Sequence, residues 1–209
     1  MDNSLATHQG GRPNKLSITR EQFAEIYPDL APHYDFFNDP IPAGTPKECI
    51  ERVYFKSKLW RLNNLYTIIN KDGEPTIFKM NYAQHKVYAA TRAHPRIIIL
   101  KSRQQGISTL WLVSYFDDAI WCPYLNMGLM AQGSDEASTL LERAKLLWEK
   151  LDPEIKAYTG VKLLKDNSTA YAFSNKSTMF IRVSFRSTTL QRLHISEFGK
   201  IAARQRGTD

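Results

Sequence analysis

The chain contains little cysteine, and its only two cysteines, Cys49 and Cys122, lie far apart in the sequence. Neither has a His or a second Cys close enough to form a metal-ligand pair, and the five histidines show no zinc-like spacing. We therefore expect reduced thiols and no structural metal. His94 and His194 are interpreted as structural or surface residues.

Long apolar runs are also lacking. The longest, residues 97–100, is far shorter than the roughly 20 residues that a membrane-spanning helix needs. Residues 1–4 do not begin a basic segment followed by an apolar one, which is the pattern of a secretion signal. We expect a protein that is neither exported nor embedded in a membrane.

The composition excludes disorder and fibres, because 43% of the 209 residues are hydrophobic and 23% are charged. This length allows one large domain, or one domain with a small appendage. Lys and Arg number 28 against 21 Asp and Glu, a net charge of +7. The excess fits a polyanionic partner such as nucleic acid or nucleotide, although a solvated basic surface would have the same composition.

The N-terminal part predicts little regular structure. Residues 1–16 are typical of a mobile terminus, and Thr19 with Gln22 forms a capping-box pattern that begins a short helix ended by Pro28. Five prolines between residues 28 and 46 exclude a long element. We interpret residues 1–50 as an arm and linker.

Residues 51–95 predict a small subdomain. An Asp-Gly turn at residues 72–73 precedes a strand-like run at residues 76–78, which indicates a hairpin. Residues 81–90 carry apolar positions at helical spacing and predict a helix.

The rest of the chain, residues 96–209, alternates strands and helices. The β-branched run at residues 96–100 predicts a strand buried on both faces of a parallel sheet. A second buried strand at 125–130, a hairpin at 170–173 and 179–183, and a strand over residues 190–195 follow it. Helices are expected at residues 109–121 and from a Ser134 cap to Pro153. This alternation predicts an α/β fold, in which ligands bind beyond the carboxyl ends of the strands.

One such end begins a candidate phosphate loop, residues 101–109 (Lys-Ser-Arg-Gln-Gln-Gly-Ile-Ser-Thr). In phosphate loops, backbone N–H groups surround the phosphates, a Lys neutralises them and a hydroxyl binds Mg²⁺. Gly106 and Ser108 match the usual pattern, whereas Ile107 takes the position of the Lys and Lys101 that of the first Gly. Lys101 could reach the phosphates from the opposite side. The alternative is an ordinary basic loop between strand and helix.

Three other residues have suitable chemistry. Gln84 could pair with the adenine edge, Glu197 could polarise an attacking water, and Arg103 could stabilise charge on a transferred phosphoryl group. The alternatives are a surface glutamine for Gln84 and a helix N-terminal carboxylate for Glu197.

Together these motifs resemble one family, the large terminase subunit of tailed bacteriophages, the ATP-driven motor that packs DNA into procapsids. Residues 101–109 resemble its divergent Walker A loop, residues 81–84 (Asn-Tyr-Ala-Gln) its adenine-contacting motif, and residues 184–198 its Walker B strand with the catalytic glutamate. The resemblance covers about residues 51–203. It implies an ASCE-type P-loop NTPase core with a mainly parallel sheet, after a small N-terminal helical and hairpin region.

The resemblance also implies roles for individual residues. Glu197 and Arg103 would be catalytic, and Mg²⁺ would be bound by Ser108 and, through a water, by Glu197. The ATP-binding residues would be Gln84, Lys101, Ser102, Arg103, Gln104, Gln105, Gly106, Ile107, Ser108 and Thr109. Residues 51–95 would then be the adenine-motif subdomain.

Two residues depart from the family pattern. The family usually has Asp before the catalytic glutamate, where this chain has Ser196. It also usually has Gly after the arginine that precedes the Walker B strand, where this chain has Ser187 after Arg186. Metal binding would accordingly depend on Ser108 and water.

The length departs as well, because the family continues into further sheet strands and a nuclease domain. The resemblance thus implies a C-terminally truncated, incomplete ATPase core over residues 96–209. The family's next strand inserts between the Walker A and Walker B strands, so a gap is expected inside the sheet.

The sequence therefore favours an ATPase that powers phage DNA packaging, with ATP and Mg²⁺ as cofactors. Double-stranded DNA, a portal protein, the small terminase subunit and a ring of copies of this chain are the implied partners, and the cytoplasm of the bacterial host is the implied location. The alternatives are a prophage remnant that binds nucleotide or DNA without turnover, and a helicase-like ATPase.

Overall fold

The computed structural model describes residues 16–102, 104–167, 169–186, 188–200 and 202. The chain divides into two compact units. The first contains residues up to Tyr66 together with Gly73–Ile107, and the second contains Thr67–Asp72 and the residues from Ser108 onwards. The predicted boundaries at residues 50 and 95 stay predictions.

The first helix of the first unit, α1 (Arg20–Ile26), begins as expected. The Thr19 Oγ1 accepts from the Gln22 backbone N–H at 3.3 Å, and the Gln22 Oε1 accepts from the Thr19 N–H at 3.0 Å. This capping box satisfies N–H groups that no helical carbonyl can reach. The predicted mobile terminus, residues 1–16, lies outside the described residues except for Leu16.

The proline-rich segment after α1 is more ordered than a linker. It forms a 3-10 turn (Pro28–His33) and α2 (Tyr34–Asn38), so the prolines limit the elements to short lengths, as expected. The rings of Tyr34 and Phe37 are buried with centroids 5.4 Å from that of Phe23. The burial of these aromatic rings packs the segment against α1, although the segment contains no long helix.

The chain continues through several short elements. These are α3 (Lys47–Cys49), a π-helical turn (Ile50–Tyr54), α4 (Lys58–Asn64), β1 (Thr67–Ile69), β2 (Pro75–Ile77) and α5 (Tyr82–Ala93). β1 and β2 flank the predicted Asp-Gly turn, where Gly73 has φ +81°. The predicted helix over residues 81–90 is confirmed and extends to Ala93.

The predicted strand over residues 96–100 is wrong. This stretch has no regular secondary structure, and the side chains of Ile98 and Leu100 are 94% and 96% exposed. The five-stranded sheet does not include it. A β-branched run becomes a strand only where neighbouring strands complete its hydrogen bonds and cover its faces, which local sequence cannot specify.

The second unit contains the main sheet. Its elements from the first helix onwards are α6 (Ile107–Trp121, with Ile107 at the boundary), β3 (Asn126–Met130), α7 (Ser134–Glu149), α8 (Pro153–Thr159), β4 (Leu163–Asn167), β5 (Ala170–Phe173), β6 (Thr178–Arg182) and β7 (Arg192–Ile195). The strand order is β4-β5-β6-β3-β7. The α/β class, the predicted hairpin of β5 and β6, and the last strand are therefore confirmed.

The sheet is mixed: its core part is parallel, as expected, and the rest is antiparallel. β3 runs parallel to both β6 and β7, whereas β4, β5 and β6 are antiparallel neighbours. Leu129 of β3 lies opposite Ile181 and His194, and the first two are buried. The carboxyl end of β7 therefore lies in the parallel part of the sheet.

Helix α7 begins one residue away from the expected cap. Gly133 is the N-cap and makes no side-chain cap hydrogen bond, while the Ser134 hydroxyl donates to Asp135 at 3.3 Å. Asp135 and Glu136 do lie in the first turn, where a carboxylate interacts favourably with the helix dipole.

In the part of the chain that the structure describes, no helix is long and apolar enough to cross a membrane.

Candidate functional site

In the first unit, the Gln84 side chain connects the start of α5 to the candidate loop. Its Oε1 accepts from the Asn81 N–H at 2.9 Å, completing a capping box, and its Nε2 donates to the Gly106 carbonyl at 2.7 Å. Gln84 is buried. Both polar atoms of the amide therefore have protein partners, and its adenine-reading role stays a prediction.

Gly106 is required where it stands for two reasons. Its φ of +68° lies in the left-handed region that side chains disfavour, and a Cβ added there would be 2.8 Å from the Gln84 Nε2. The Asn81 Nδ2 also donates to the Gln105 carbonyl at 3.3 Å. The end of the loop is thus attached to the N-terminus of α5 at two consecutive carbonyls.

The earlier part of the loop is open to solvent. Lys101 and Ser102 are exposed, and the Gln105 Nε2 donates to the Ser102 Oγ at 2.9 Å. Gln104 has φ +62° and Gly106 has φ +68°, so two of residues 104–106 are left-handed. Turns of this kind point backbone N–H groups to one side, a geometry that favours anions. Arg103 lies outside the described residues.

The loop continues directly into α6, whose first residues have different environments. Ile107 is buried, so only its backbone is available to a ligand, whereas Ser108 and Thr109 are part-buried. Ser108 and Thr109 belong to the second unit. The second unit therefore contains the last two residues of the predicted loop, and both of them have a hydroxyl group.

The Ser108 hydroxyl lies beside the end of β7. Its Oγ is 3.3 Å from the Ser196 Oγ, and the Ser196 N–H donates to the Met130 carbonyl at the end of β3, at 2.9 Å. Ser196 is buried. Two residues that are 88 positions apart in sequence, and that the family resemblance assigns to the Walker A and Walker B motifs, are thus neighbours beside the carboxyl ends of the parallel strands β3 and β7.

Glu197 follows in a strained backbone conformation. Its φ of +52° is left-handed, which costs a residue with a side chain about 1–2 kcal/mol. Its carboxylate lies 3.9 Å from the Lys200 Nζ and is partly exposed. Strained residues of this kind are enriched at functional sites.

Glu136 joins this cluster, although the sequence indicated only a helix first-turn acid. Its Oε1 accepts from the Ser196 hydroxyl at 3.1 Å, and its Oε2 accepts from the Gln132 N–H at 3.0 Å. The relevant signal is that Glu136 follows the strand that neighbours β7, and this becomes visible only when the strand order is known.

The donor atoms of the cluster suit Mg²⁺. Ser108, Ser196 and Glu136 offer two hydroxyls and a carboxylate, the hard oxygen ligands that Mg²⁺ prefers, and Mg²⁺ in nucleotide sites commonly uses one or two carboxylates with phosphates and water. Among the described residues, no group of three or more His, Cys, Asp or Glu could hold a metal ion. At a Mg²⁺ site with these ligands, phosphate oxygens and water would supply the remaining ones.

A buried histidine stands next to Gln84 in α5. His85 is fully buried, and its Nδ1 lies 3.0 Å from the Tyr27 hydroxyl. Burial lowers the pKa of the His85 imidazole to about 4, because desolvation disfavours its charged form. The His85 side chain is therefore uncharged near neutral pH.

Comparison with known proteins does not identify a family. No protein-family model matches the chain, and a search of curated proteins found no match.

Proposed function

We propose that this chain binds ATP with Mg²⁺ and hydrolyses it, and that it serves in a DNA-packaging motor as the resemblance to large terminase subunits implies. The observation that carries the proposal is the 3.3 Å approach of the Ser108 and Ser196 hydroxyls. It joins the helix that follows the predicted phosphate loop to the strand end that precedes the predicted catalytic glutamate. A phosphate-binding ATPase needs these two elements together.

Each residue has a defined task in this proposal. Lys101 would neutralise phosphate charge, the backbone near Gly106 would donate to phosphate oxygens, and Ser108 would bind Mg²⁺. Mg²⁺, when bound, withdraws charge from the phosphate oxygens. The Glu197 carboxylate would orient a water and accept its proton during attack on the γ-phosphate.

The net charge of +7 supports the second part of the proposal, because a basic chain attracts the polyanionic backbone of duplex DNA. In a packaging motor, turnover responds to the DNA that is moved. We therefore expect linear double-stranded DNA to stimulate hydrolysis.

The decisive experiment compares Glu197→Gln with the unaltered chain. Phosphate release is measured with and without DNA, and binding of a fluorescent ATP analogue is measured separately. We expect turnover to fall at least about 100-fold while nucleotide binding is retained, since the amide cannot accept the proton from water.

Glu149→Gln is the matched control. The Glu149 carboxylate lies 3.9 Å from the Lys145 Nζ on an exposed helix surface, as the Glu197 carboxylate lies 3.9 Å from that of Lys200. It should leave both binding and turnover unchanged. Equal turnover in the Glu197→Gln variant and the unaltered chain would contradict the proposal.

Binding without turnover is a second candidate, favoured by Ser196. The family that the chain resembles usually has an aspartate at this position, and the buried Ser196 hydroxyl supplies no charge of its own. Nucleotide binding with no phosphate release from the unaltered chain, in the presence of DNA and Mg²⁺, would support this candidate.

A further inference from the structure

Three elements of the second unit bring oxygen atoms together at the carboxyl ends of β3 and β7. Ser108 lies in the first turn of α6, Ser196 follows β7, and Glu136 lies in the first turn of α7, which follows β3. Because β3 and β7 are adjacent and parallel, the segments that follow them reach the same edge of the sheet.

Hydrogen bonds connect the oxygens of Ser108, Ser196 and Glu136 one after another. The Ser196 hydroxyl lies between the other two groups, 3.3 Å from the Ser108 Oγ and 3.1 Å from the Glu136 Oε1. The Gln132 N–H donates to the other carboxylate oxygen of Glu136 at 3.0 Å and so fixes its direction. Glu136 is therefore held with one oxygen facing the two serines.

We propose that Glu136 supplies, from α7, the carboxylate that the Ser196 position lacks, and that Glu136, Ser196 and Ser108 together hold the Mg²⁺ that accompanies the nucleotide. This inference rests on the proposed function. It assigns a metal-positioning role to a residue that the sequence indicated only as a helix first-turn acid.

The charges support this assignment. Two neutral hydroxyls bind Mg²⁺ weakly, and at least one carboxylate is usual in sites where phosphates supply the other ligands. Glu197 lies 3.9 Å from the Lys200 ammonium, whereas in the described part of the chain Glu136 accepts hydrogen bonds from two neutral groups, the Ser196 hydroxyl and the Gln132 backbone N–H. Neither of these two partners neutralises the negative charge of Glu136, which can therefore interact with a cation.

The test is a Mg²⁺ titration of nucleotide binding on the full chain. Binding of a fluorescent, non-hydrolysable ATP analogue is followed by anisotropy as Mg²⁺ is raised from zero, so the readout does not depend on turnover. Glu136→Gln keeps the size of the side chain and an acceptor oxygen but removes the charge. We expect it to raise the Mg²⁺ midpoint by roughly 10- to 100-fold, with metal-free binding in EDTA unchanged.

Two further variants sharpen the test. Glu142→Gln removes an exposed carboxylate from the same helix and should leave the midpoint unchanged. Ser196→Asp, introduced into the Glu136→Gln variant, returns a carboxylate to the cluster and should recover most of the lost Mg²⁺ affinity. A purely structural role for Glu136 predicts no such recovery.

The outcomes separate this inference from the proposed function. If the unaltered chain shows no Mg²⁺-dependent nucleotide binding, both are overturned. If it does, and Glu136→Gln has the same midpoint as Glu142→Gln, only the role of Glu136 is overturned. Thermal melting checks folding of each variant. Should Glu136→Gln fail to fold, Ser196→Ala removes the intervening hydroxyl alone, and an unchanged midpoint there overturns the inference as well.

Discussion

The Gln84 side chain and the Gly106 carbonyl are joined by a hydrogen bond of 2.7 Å from Nε2 to the carbonyl oxygen. The same amide completes the capping box of α5 through its Oε1. A residue that the sequence suggested for adenine recognition therefore has a structural task, which is to hold the end of the loop on the first turn of a helix.

Gln84→Glu tests that task. The substitution keeps an acceptor for the Asn81 N–H but places a second acceptor against the Gly106 carbonyl, so a buried hydrogen bond becomes a repulsive contact. We expect the free energy of unfolding to fall by about 1–3 kcal/mol. Urea denaturation measures it. Stability equal to that of the unaltered chain would show that the bond to Gly106 contributes nothing.

Gly106→Ala separates backbone strain from steric conflict. Gly106 and Gly73 both have left-handed φ values, +68° and +81°, but only at Gly106 would the new Cβ meet an atom, the Gln84 Nε2 at 2.8 Å. Each substitution should cost about 1–2 kcal/mol for the backbone. Gly106→Ala should cost more, because the hydrogen bond of Gln84 must also move. Equal losses of stability at both positions would contradict this account.

Glu197→Asn tests whether strain at the end of β7 is maintained for function. Asn tolerates the left-handed region better than Glu does, so we expect a gain on the order of 0.5–1 kcal/mol in the free energy of unfolding. ATP turnover should be lost at the same time. Lys176→Asn is the control, since Lys176 has φ +70° in the turn between β5 and β6. It should stabilise the chain and spare turnover.

His85 predicts a loss of stability in mild acid. The pKa of its imidazole is lowered from 6.5 to about 4 in the folded chain, so between these values the unfolded chain binds the extra proton. The free energy of unfolding is therefore unaffected by His85 above pH 6.5 and falls as the pH is lowered to about 4, by roughly 3 kcal/mol in total. Unfolding by urea at several pH values should show a shallower dependence for His85→Asn. Parallel curves for the two proteins would refute the assignment.

Ile98→Lys tests the corrected structure of residues 96–100. A buried strand would not accept a lysine, whereas the almost fully exposed Ile98 should accept it within about 0.5 kcal/mol. Ile181→Ala in β6, at a fully buried position, should cost about 2–5 kcal/mol. A large loss of stability at Ile98 would restore the strand prediction.

Much of the fold could be predicted because its signals are local. The Thr19 capping box, the helix after Asn81 and the β5–β6 hairpin depend on residues within one or two turns of the chain, and each formed as expected. The strand at residues 96–100 was predicted from the same kind of local pattern, yet its neighbours and its burial depend on distant residues.

Part of the candidate site could likewise be predicted from the sequence, and part could not. The sequence singled out Ser108 and Glu197 because a hydroxyl after a loop and a carboxylate after a strand have recognisable chemistry. It could not indicate that Ser196 and Glu136 meet, because that contact joins residues 60 positions apart.

The sequence by itself determined the α/β class, the three longest helices, most of the strands and the polar residues at the strand ends, since these follow from periodicity and capping. Only the tertiary structure decided the strand order, the mixed direction of the sheet, the exposure of Ile98 and the contact of Glu136 with Ser196. The physical reason is that a hydrogen-bonded partner across a sheet is chosen by packing of the whole unit, and no short stretch of chain contains that information.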